Sequence, residues 1–259
     1  MLRNIVLGSK RLQKFWWKLY KVAVKGLNYD RGHIPSANGE AYAAKYVFDQ
    51  LNGQDIVIFD VGANRGQYLE MLHQVLKGNF KVHCFEPQQD AFQFLKETAA
   101  RFGNVVLENM GLGSSPGELS LYKNVAASEY GSVYPAKYLQ YNVVLNQEEK
   151  IRINTIDNYC EKHHIGKIDL LKIDVEGHEL EVLKGAWNMI GNRKVPYIQF
   201  EFGLAAIESR IFLKDFVTLL NEYSIFRILP NGLELIQYTE YHELFLTTNY
   251  LACLKESQP

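Results

Sequence analysis

Asp55-Ile-Val-Ile-Phe-Asp60-Val-Gly62-Ala-Asn64-Arg-Gly66 decides how the rest of the chain is read. Its first half is a short apolar run, the mark of a strand buried on both faces. Its second half is a turn, in which Gly62 and Gly66 permit a tight bend and close backbone approach. Apolar residues at 68, 69, 72, 75 and 76 then predict a helix. Strand, glycine turn and helix N-terminus in this order open a βα unit.

The pattern repeats downstream. Residues 81–86, 105–109, 167–174 and 195–202 read as further strands, and residues 91–102, 178–190 and 212–223 as helices. Residues 117–122 alternate and read as a strand added beyond the third. The tail holds strand patterns at 226–229, 233–238 and 250–254 with no long helix between them. These features predict a doubly wound α/β domain whose mainly parallel sheet ends in an antiparallel hairpin. Residues 123–150 are the least regular and predict an insertion or lid. The expected division is an N-terminal helix and linker at 1–37 and one domain at 38–259.

Composition agrees with a folded enzyme-sized domain. The 259 residues are 47% hydrophobic and 22% charged, which excludes a disordered chain, a collagen-like fibre and a disulfide-dense secreted module. Cys84, Cys160 and Cys253 form no C-x-x-C pair and leave an odd count, so a reducing compartment, the cytoplasm, is expected. No apolar run approaches the roughly 20 residues of a membrane span.

The net charge of -1 hides an asymmetry. Arg3, Lys10, Arg11, Lys14, Lys18, Lys21 and Lys25 precede the first acidic residue, which leaves the remainder at 21 basic against 29 acidic. Leu12, Phe15, Trp16, Leu19 and Ala23 recur at helical spacing, with Lys14, Lys18, Lys21 and Lys25 opposite. Two readings follow. The apolar stripe packs on the main domain, as most amphipathic helices do, and this is the preferred expectation. Alternatively the helix lies peripherally on the inner face of an anionic membrane, with Trp16 and Trp17 at the interface. The acidic body argues against a nucleic-acid partner.

Ligands of open α/β sheets bind at the carboxyl ends of the strands. Four such ends carry unusual polar content here: the Asp60-to-Gly66 turn, Glu86-Pro87, Asn109-Met-Gly111, and Lys172-Ile-Asp174-Val-Glu176-Gly-His178. An acid some 20 residues after a glycine turn suits the hydroxyls of a ribose. Asn64 breaks the G-x-G-x-x-G spacing and weakens a nicotinamide or flavin reading. A lysine and an acid within an apolar strand are costly to bury unless paired or functional.

Together these segments resemble the FkbM family of S-adenosylmethionine-dependent O-methyltransferases. The resemblance rests on I-F-D-V-G-A-N-R-G-Q-Y (Ile58 to Tyr68), F-E-P (Phe85 to Pro87), N-M-G-L-G (Asn109 to Gly113), T-I-D-N-Y (Thr155 to Tyr159) and L-L-K-I-D-V-E-G-H-E-L-E-V-L-K-G-A (Leu170 to Ala186). Asn38-Gly39-Glu40 is similar to the segment that opens many members. The resemblance implies a class I methyltransferase (Rossmann-like) fold, with a seven-stranded sheet whose last strands are antiparallel. It implies S-adenosylmethionine as cofactor and S-adenosylhomocysteine as product. Asp60, Gly62 and Asn64 are then expected by the methionine part, Glu86 at the ribose hydroxyls, and Asn109 and Gly111 at the adenine, with Glu40, Tyr68 and Pro87 also expected to bind the cofactor. Asp174 is expected near the reactive methyl.

A hydroxyl acceptor must lose a proton as the new bond forms, which calls for a positioned base. Asp174 is the first candidate, Glu176 the second and His178 the third, with Lys172 pairing one of the acids. The same Asp174, Glu176 and His178 are a weaker candidate set for a divalent metal; a metal-independent enzyme is the working expectation. Tyr130, Tyr134, Tyr138 and Tyr141 would form one aromatic face if helical, and Ser132 beside them is placed near the cofactor. The expected acceptor is a sugar hydroxyl in a glycan or glycolipid, with a polyketide or other small-molecule hydroxyl as alternative. A non-catalytic S-adenosylmethionine-binding module is the rival of another class.

Overall fold

The first strand, β1 (Ile56–Val61), is buried at every position but Val57, as a strand between two neighbours must be. A computed structural model describes residues 8–30, 38–52, 55–125, 128–139 and 141–255. In chain order the strands after β1 are β2 (Phe80–Phe85), β3 (Val105–Glu108), β4 (Gly111–Leu112), β5 (Gly117–Lys123), β6 (Lys137–Tyr138) and β7 (Val143–Val144). They continue with β8 (Gln147–Asn154), β9 (Leu170–Ile173), β10 (Tyr197–Phe202), β11 (Tyr223–Leu229), β12 (Gly232–Leu235) and β13 (Thr248–Leu254).

The main sheet has eight strands in the order β12-β11-β13-β10-β9-β1-β2-β3. It is parallel from β10 to β3 and antiparallel where β13, β11 and β12 complete it. The doubly wound fold is as expected, but the sheet exceeds the expected seven strands. The additional strand is β12, the return arm of a hairpin in which Leu229 faces Gly232.

A second departure concerns residues 117–122. β5 does not extend the main sheet; it pairs along its whole length with β8, from Gly117 opposite Ile153 to Lys123 opposite Gln147, in a separate sheet ordered β4-β8-β5. Gly117, Glu118 and Leu119 are exposed, and only the alternate residues Leu121 and Lys123 are buried, so β5 buries one face over its second half. β8 therefore also trims the predicted insertion. What remains between β5 and β8 is an irregular segment with a short β6–β7 hairpin, Tyr138 opposite Val143. The four tyrosines do not lie on a helix.

The predicted helix at 178–190 is broken into Glu179–Lys184 and Trp187–Gly191. Gly185 sits at the break, where a Cβ would fall 2.0 Å from the carbonyl oxygen of Gly113. The helix end and the turn after β4 thus touch backbone to backbone. Apolar side chains fill both sheet faces, with Phe59, Tyr159, Phe200 and Phe216 on one and Ile58, Leu69, Leu72 and Val82 on the other. Ala136, Tyr138 and Leu145 form a small cluster of their own with Tyr130, Val143 and Leu204.

The helix Gln13–Gly26 buries only Val24. Of the predicted stripe, Phe15, Leu19 and Ala23 are exposed and Leu12 and Trp16 half-buried, and Trp17, Tyr20 and Val22 are exposed as well, so the stripe as a whole is not packed on the domain. Arg3 and most of the predicted linker, residues 31–37, lie outside the described residues.

Candidate active site

β1, β2, β9 and β10 end at one edge of the sheet, and their last residues surround a cleft of about 1140 Å3 counted to its open mouth. The floor is set by Gly62, which bends away from β1 with φ +84°. A Cβ there would lie 1.8 Å from the Asp174 carbonyl oxygen. Beneath this contact, Asp60 and Lys172 face each other across β1 and β9. Lys172 Nζ lies 3.1 Å from Asp60 Oδ1 and 3.3 Å from Asp174 Oδ2, and 5.2 Å from the centre of the Tyr68 ring. Burial opposes the Lys172 charge, but Asp60, Asp174 and Glu40 outweigh it and hold its pKa well above the usual lysine value. Asp60 is fully buried, and apart from that ion pair its oxygens receive no aligned hydrogen bond.

This pair makes a stability prediction. Lys172→Met would leave Asp60 buried without a cation, and is expected to destabilise the protein by about 3–5 kcal/mol. Urea unfolding measures it, and adding Asp60→Asn should return much of the loss. A single variant as stable as the parent would show that the pair is not needed for folding.

Around the floor, hydrogen bonds tie two helices to β10 through Gln199. Tyr68 donates to Gln199 Oε1 at 3.3 Å, Gln199 Nε2 donates to Glu40 Oε1 at 2.8 Å, and Asn38 Nδ2 donates to Glu40 Oε2 at 3.0 Å. Across the cleft, Glu86 Oε2 accepts from the Asn64 amide at 2.9 Å and Oε1 from the Gln88 amide at 2.7 Å. Burial pushes the Glu86 carboxyl up to about 7, although both amides pull the other way. Asn64 holds φ +47° and donates to the Ser128 carbonyl at 3.2 Å, leaving its own buried Oδ1 without a partner.

The far wall is acidic. Asp174, Glu176 and Glu201 bring carboxylate oxygens within 4.8 Å of one another. Burial, reinforced by the Asp174 charge, raises the pKa of both Glu176 and Glu201 well above the ordinary value. The loop carrying Asp174 and Glu176 is built by Glu179, whose Oε1 accepts from the amides of Val175 at 3.0 Å and Gly177 at 3.1 Å. His178 leaves this cluster: its Nδ1 lies 3.3 Å from the Tyr134 hydroxyl, and burial lowers its pKa. The predicted metal trio is thus not assembled, because Glu201 stands where His178 was expected.

Most residues predicted from sequence converge. Glu40, Gly62, Asn64, Tyr68, Glu86 and Pro87 line the cleft, as do Gly111, Lys172, Asp174, Glu176 and His178. Asp60, Asn109 and Ser132 stand one layer behind. Asn109 Nδ2 donates to the carbonyls of Glu86 at 2.9 Å and Pro87 at 3.2 Å, and Ser132 Oγ to that of Glu176 at 2.6 Å. Sequence reading missed Gln88, Ser128, Glu129, Glu201 and Asn249 on the wall. Only Gln88, next to Glu86-Pro87, carried a local signal.

Among the described residues, Lys172 is the one lysine or arginine on this wall, against Glu40, Glu86, Glu129, Asp174, Glu176 and Glu201. Such a donor set fits a ligand with positive charge and paired hydroxyls, and the orphaned Asn64 Oδ1 offers a further acceptor. Residues 60–224 match the family model described as the methyltransferase FkbM domain. The chain belongs to the FkbM methyltransferase family. It is a methyltransferase that uses S-adenosylmethionine, a sulfonium whose charge, amino group and ribose hydroxyls this cleft suits. This FkbM protein is 32% identical over 193 residues to the hexuronic acid methyltransferase AglP of Haloferax volcanii, covering 73% of this chain and 71% of that one. It is 23% identical over 199 residues to the 2-O-methyltransferase NoeI of Sinorhizobium fredii, covering 73% of this chain and 81% of that one. The magnesium protoporphyrin IX methyltransferase ChlM of Synechocystis PCC 6803, solved with bound SAM, aligns at TM-score 0.44 and 11% identity over 84% of this chain and 80% of that one. No described helix is long and apolar enough to cross a membrane.

Proposed function

We propose that this methyltransferase moves the methyl group of S-adenosylmethionine to a hydroxyl of a sugar in a glycan or glycolipid. The observation that carries the reading is the joining of an acidic cofactor cleft to a second acidic wall at Asp174, in a chain 32% identical to a hexuronic acid methyltransferase. On this reading Glu86 and Pro87 hold the ribose, Gly111 and Asn109 frame the adenine, and Glu40, Gly62, Asn64 and Tyr68 take the methionine end. Asp60 supports them through Lys172, and Ser132 through the Glu176 carbonyl.

The bound cofactor supplies an electrophilic methyl; the chain supplies alignment and a proton acceptor. Asp174 is the base we favour. Burial raises the pKa of Glu176 and Glu201, which disfavours the ionised form a proton acceptor needs. His178 is neutral and turned to Tyr134. No divalent ion is required on this reading, since an ion at the acid wall would need these carboxyls ionised, the form that burial disfavours.

Titration with S-adenosylmethionine and S-adenosylhomocysteine, followed by labelled methyl transfer to uronic and neutral sugar glycosides, tests the proposal. The expected result is a methyl ether on a sugar hydroxyl, formed equally well with EDTA present. Tight cofactor binding without transfer to any glycan would favour a non-catalytic module.

Glu86 adds a pH signature. In the unfolded chain its pKa is near 4.5, and in the folded apoprotein about 7. The folded state therefore holds the proton more tightly, and that stabilisation is full below 4.5 and lost as pH rises through about 7. Ribose hydroxyls donate to the carboxylate, so cofactor affinity is expected to run the other way and strengthen as pH rises through about 7. Glu86→Gln should weaken binding and flatten this dependence. An unchanged pH profile of binding in Glu86→Gln would remove Glu86 from the ribose site.

A further inference from the structure

We propose that the helix Gln13–Gly26 is an interfacial anchor that binds the surface of an anionic lipid bilayer. This goes beyond methyl transfer and does not depend on it. The helix carries apolar side chains that no described residue covers: Phe15 is 55% exposed, Trp17 61%, Leu19 47% and Val22 68%. A contiguous exposed apolar surface of this kind marks an interaction site. At about 3.6 residues per turn, Lys14, Lys18, Lys21 and Lys25 fall on one stripe. Lys18 lies one turn from both Phe15 and Val22, and Lys21 one turn from Trp17. Trp17 packs edge-on against Tyr20 at 5.5 Å between ring centres, giving two amphipathic rings of the type that settle at headgroup level. Apolar burial beside a basic stripe is what an anionic bilayer accommodates, acyl chains below and headgroup phosphates at the rim.

Charge also fixes which side approaches. Residues 1–29 hold seven basic side chains and no acidic one, while the remainder is 21 basic against 29 acidic. An anionic surface attracts the first and repels the second. The helix is firmly rooted where it leaves the domain. Asn28 Nδ2 donates to the Ile228 carbonyl at 3.1 Å, the Asp30 amide donates to the Thr247 carbonyl at 2.8 Å, and the Arg227 guanidinium lies 4.6 Å from the centre of the Tyr29 ring. Thr248 faces Phe202, the carboxyl end of β10, and the next residue, Asn249, lines the cleft. The anchor thus stands at the edge of the sheet that carries the active site, and a bound helix holds the cleft at the membrane surface.

Sedimentation of the full-length protein with phosphatidylcholine vesicles, with and without phosphatidylglycerol, tests this. Two variants accompany it, one with Phe15, Trp17, Leu19 and Val22 changed to serine, and one with Lys14, Lys18, Lys21 and Lys25 changed to glutamine. The wild type is expected to sediment with anionic vesicles and not with neutral ones. Each variant should lose at least on the order of tenfold in partitioning while keeping its affinity for S-adenosylmethionine. Failure to sediment with anionic vesicles, or equal sedimentation of wild type and variants, overturns the proposal. So does a dimer in solution that the serine variant dissolves, which would make a second copy the occupant of this face.

Discussion

Gly62→Ala is expected to abolish cofactor binding and to lower the unfolding midpoint sharply. Gly62 holds φ +84°, a backbone conformation costly to any L side chain, and the added methyl would meet the Asp174 carbonyl oxygen at 1.8 Å. That oxygen has no room to retreat. The Asp174 amide donates to the Val61 carbonyl at 2.9 Å, and the residues before it are laddered to β1, Lys172 opposite Asp60 and Ile173 opposite Val61. Relief of the clash must part β1 from β9 at the point where Lys172 bridges Asp60 and Asp174. We expect a loss of several kcal/mol, about 4 or more, in line with the largest single-residue effects. Thermal unfolding and calorimetric titration read it together. A variant with the parent's midpoint and affinity would mean that the turn can rearrange at little cost.

Asp174→Asn is expected to lower kcat by roughly 10³-fold while changing cofactor affinity little, since a positioned base contributes about 10²–10⁴-fold. The amide keeps the size of the carboxylate and its hydrogen-bonding oxygen beside Lys172, but it accepts no proton. The effect should fall on kcat, as expected for a group that acts in the transition state. Glu176→Gln and Glu201→Gln should cost much less, because burial raises the pKa of both and disfavours their ionised form. If Glu176→Gln is the more damaging change, the base has been misassigned. A metal-dependent enzyme would instead lose activity in Asp174→Asn, Glu176→Gln and Glu201→Gln alike and recover part of it at high Mg2+.

Much of this site was legible because its chemistry is written in short runs. The Asp60-to-Gly66 turn, Glu86 and the loop after Lys172 each occupy the end of one strand, and α/β topology alone gathers strand ends at one edge. What sequence did not give is direction. Asp60 and Asn109 occupy signature positions yet point behind the wall, where they hold Lys172 and the carbonyls of Glu86 and Pro87. Glu201 and Asn249 were missed for the opposite reason. They sit in mostly apolar strands, Tyr197–Phe202 and Thr248–Leu254, whose other polar residues are Gln199 and Thr248, and it is the pairing of the two strands that sets them side by side. β8 was hidden because only Ile151 and Ile153 in Gln147–Asn154 are buried, too few for an alternating signal. The tyrosines were read on the wrong scaffold. Tyr130 does gather with Tyr138 and Tyr141, at 5.9 and 5.8 Å between ring centres, but a hairpin brings them together.

The small cluster of Ala136, Tyr138 and Leu145 is packed apart from the two faces of the main sheet. Its segment is tied to the cofactor side mainly by hydrogen bonds that use carbonyls, from Asn64 and Gln88 to Ser128 and from Ser132 to Glu176. Half of each such bond is backbone and indifferent to side-chain identity. A different side chain at position 128 would therefore leave the bonds from Asn64 and Gln88 to its carbonyl in place.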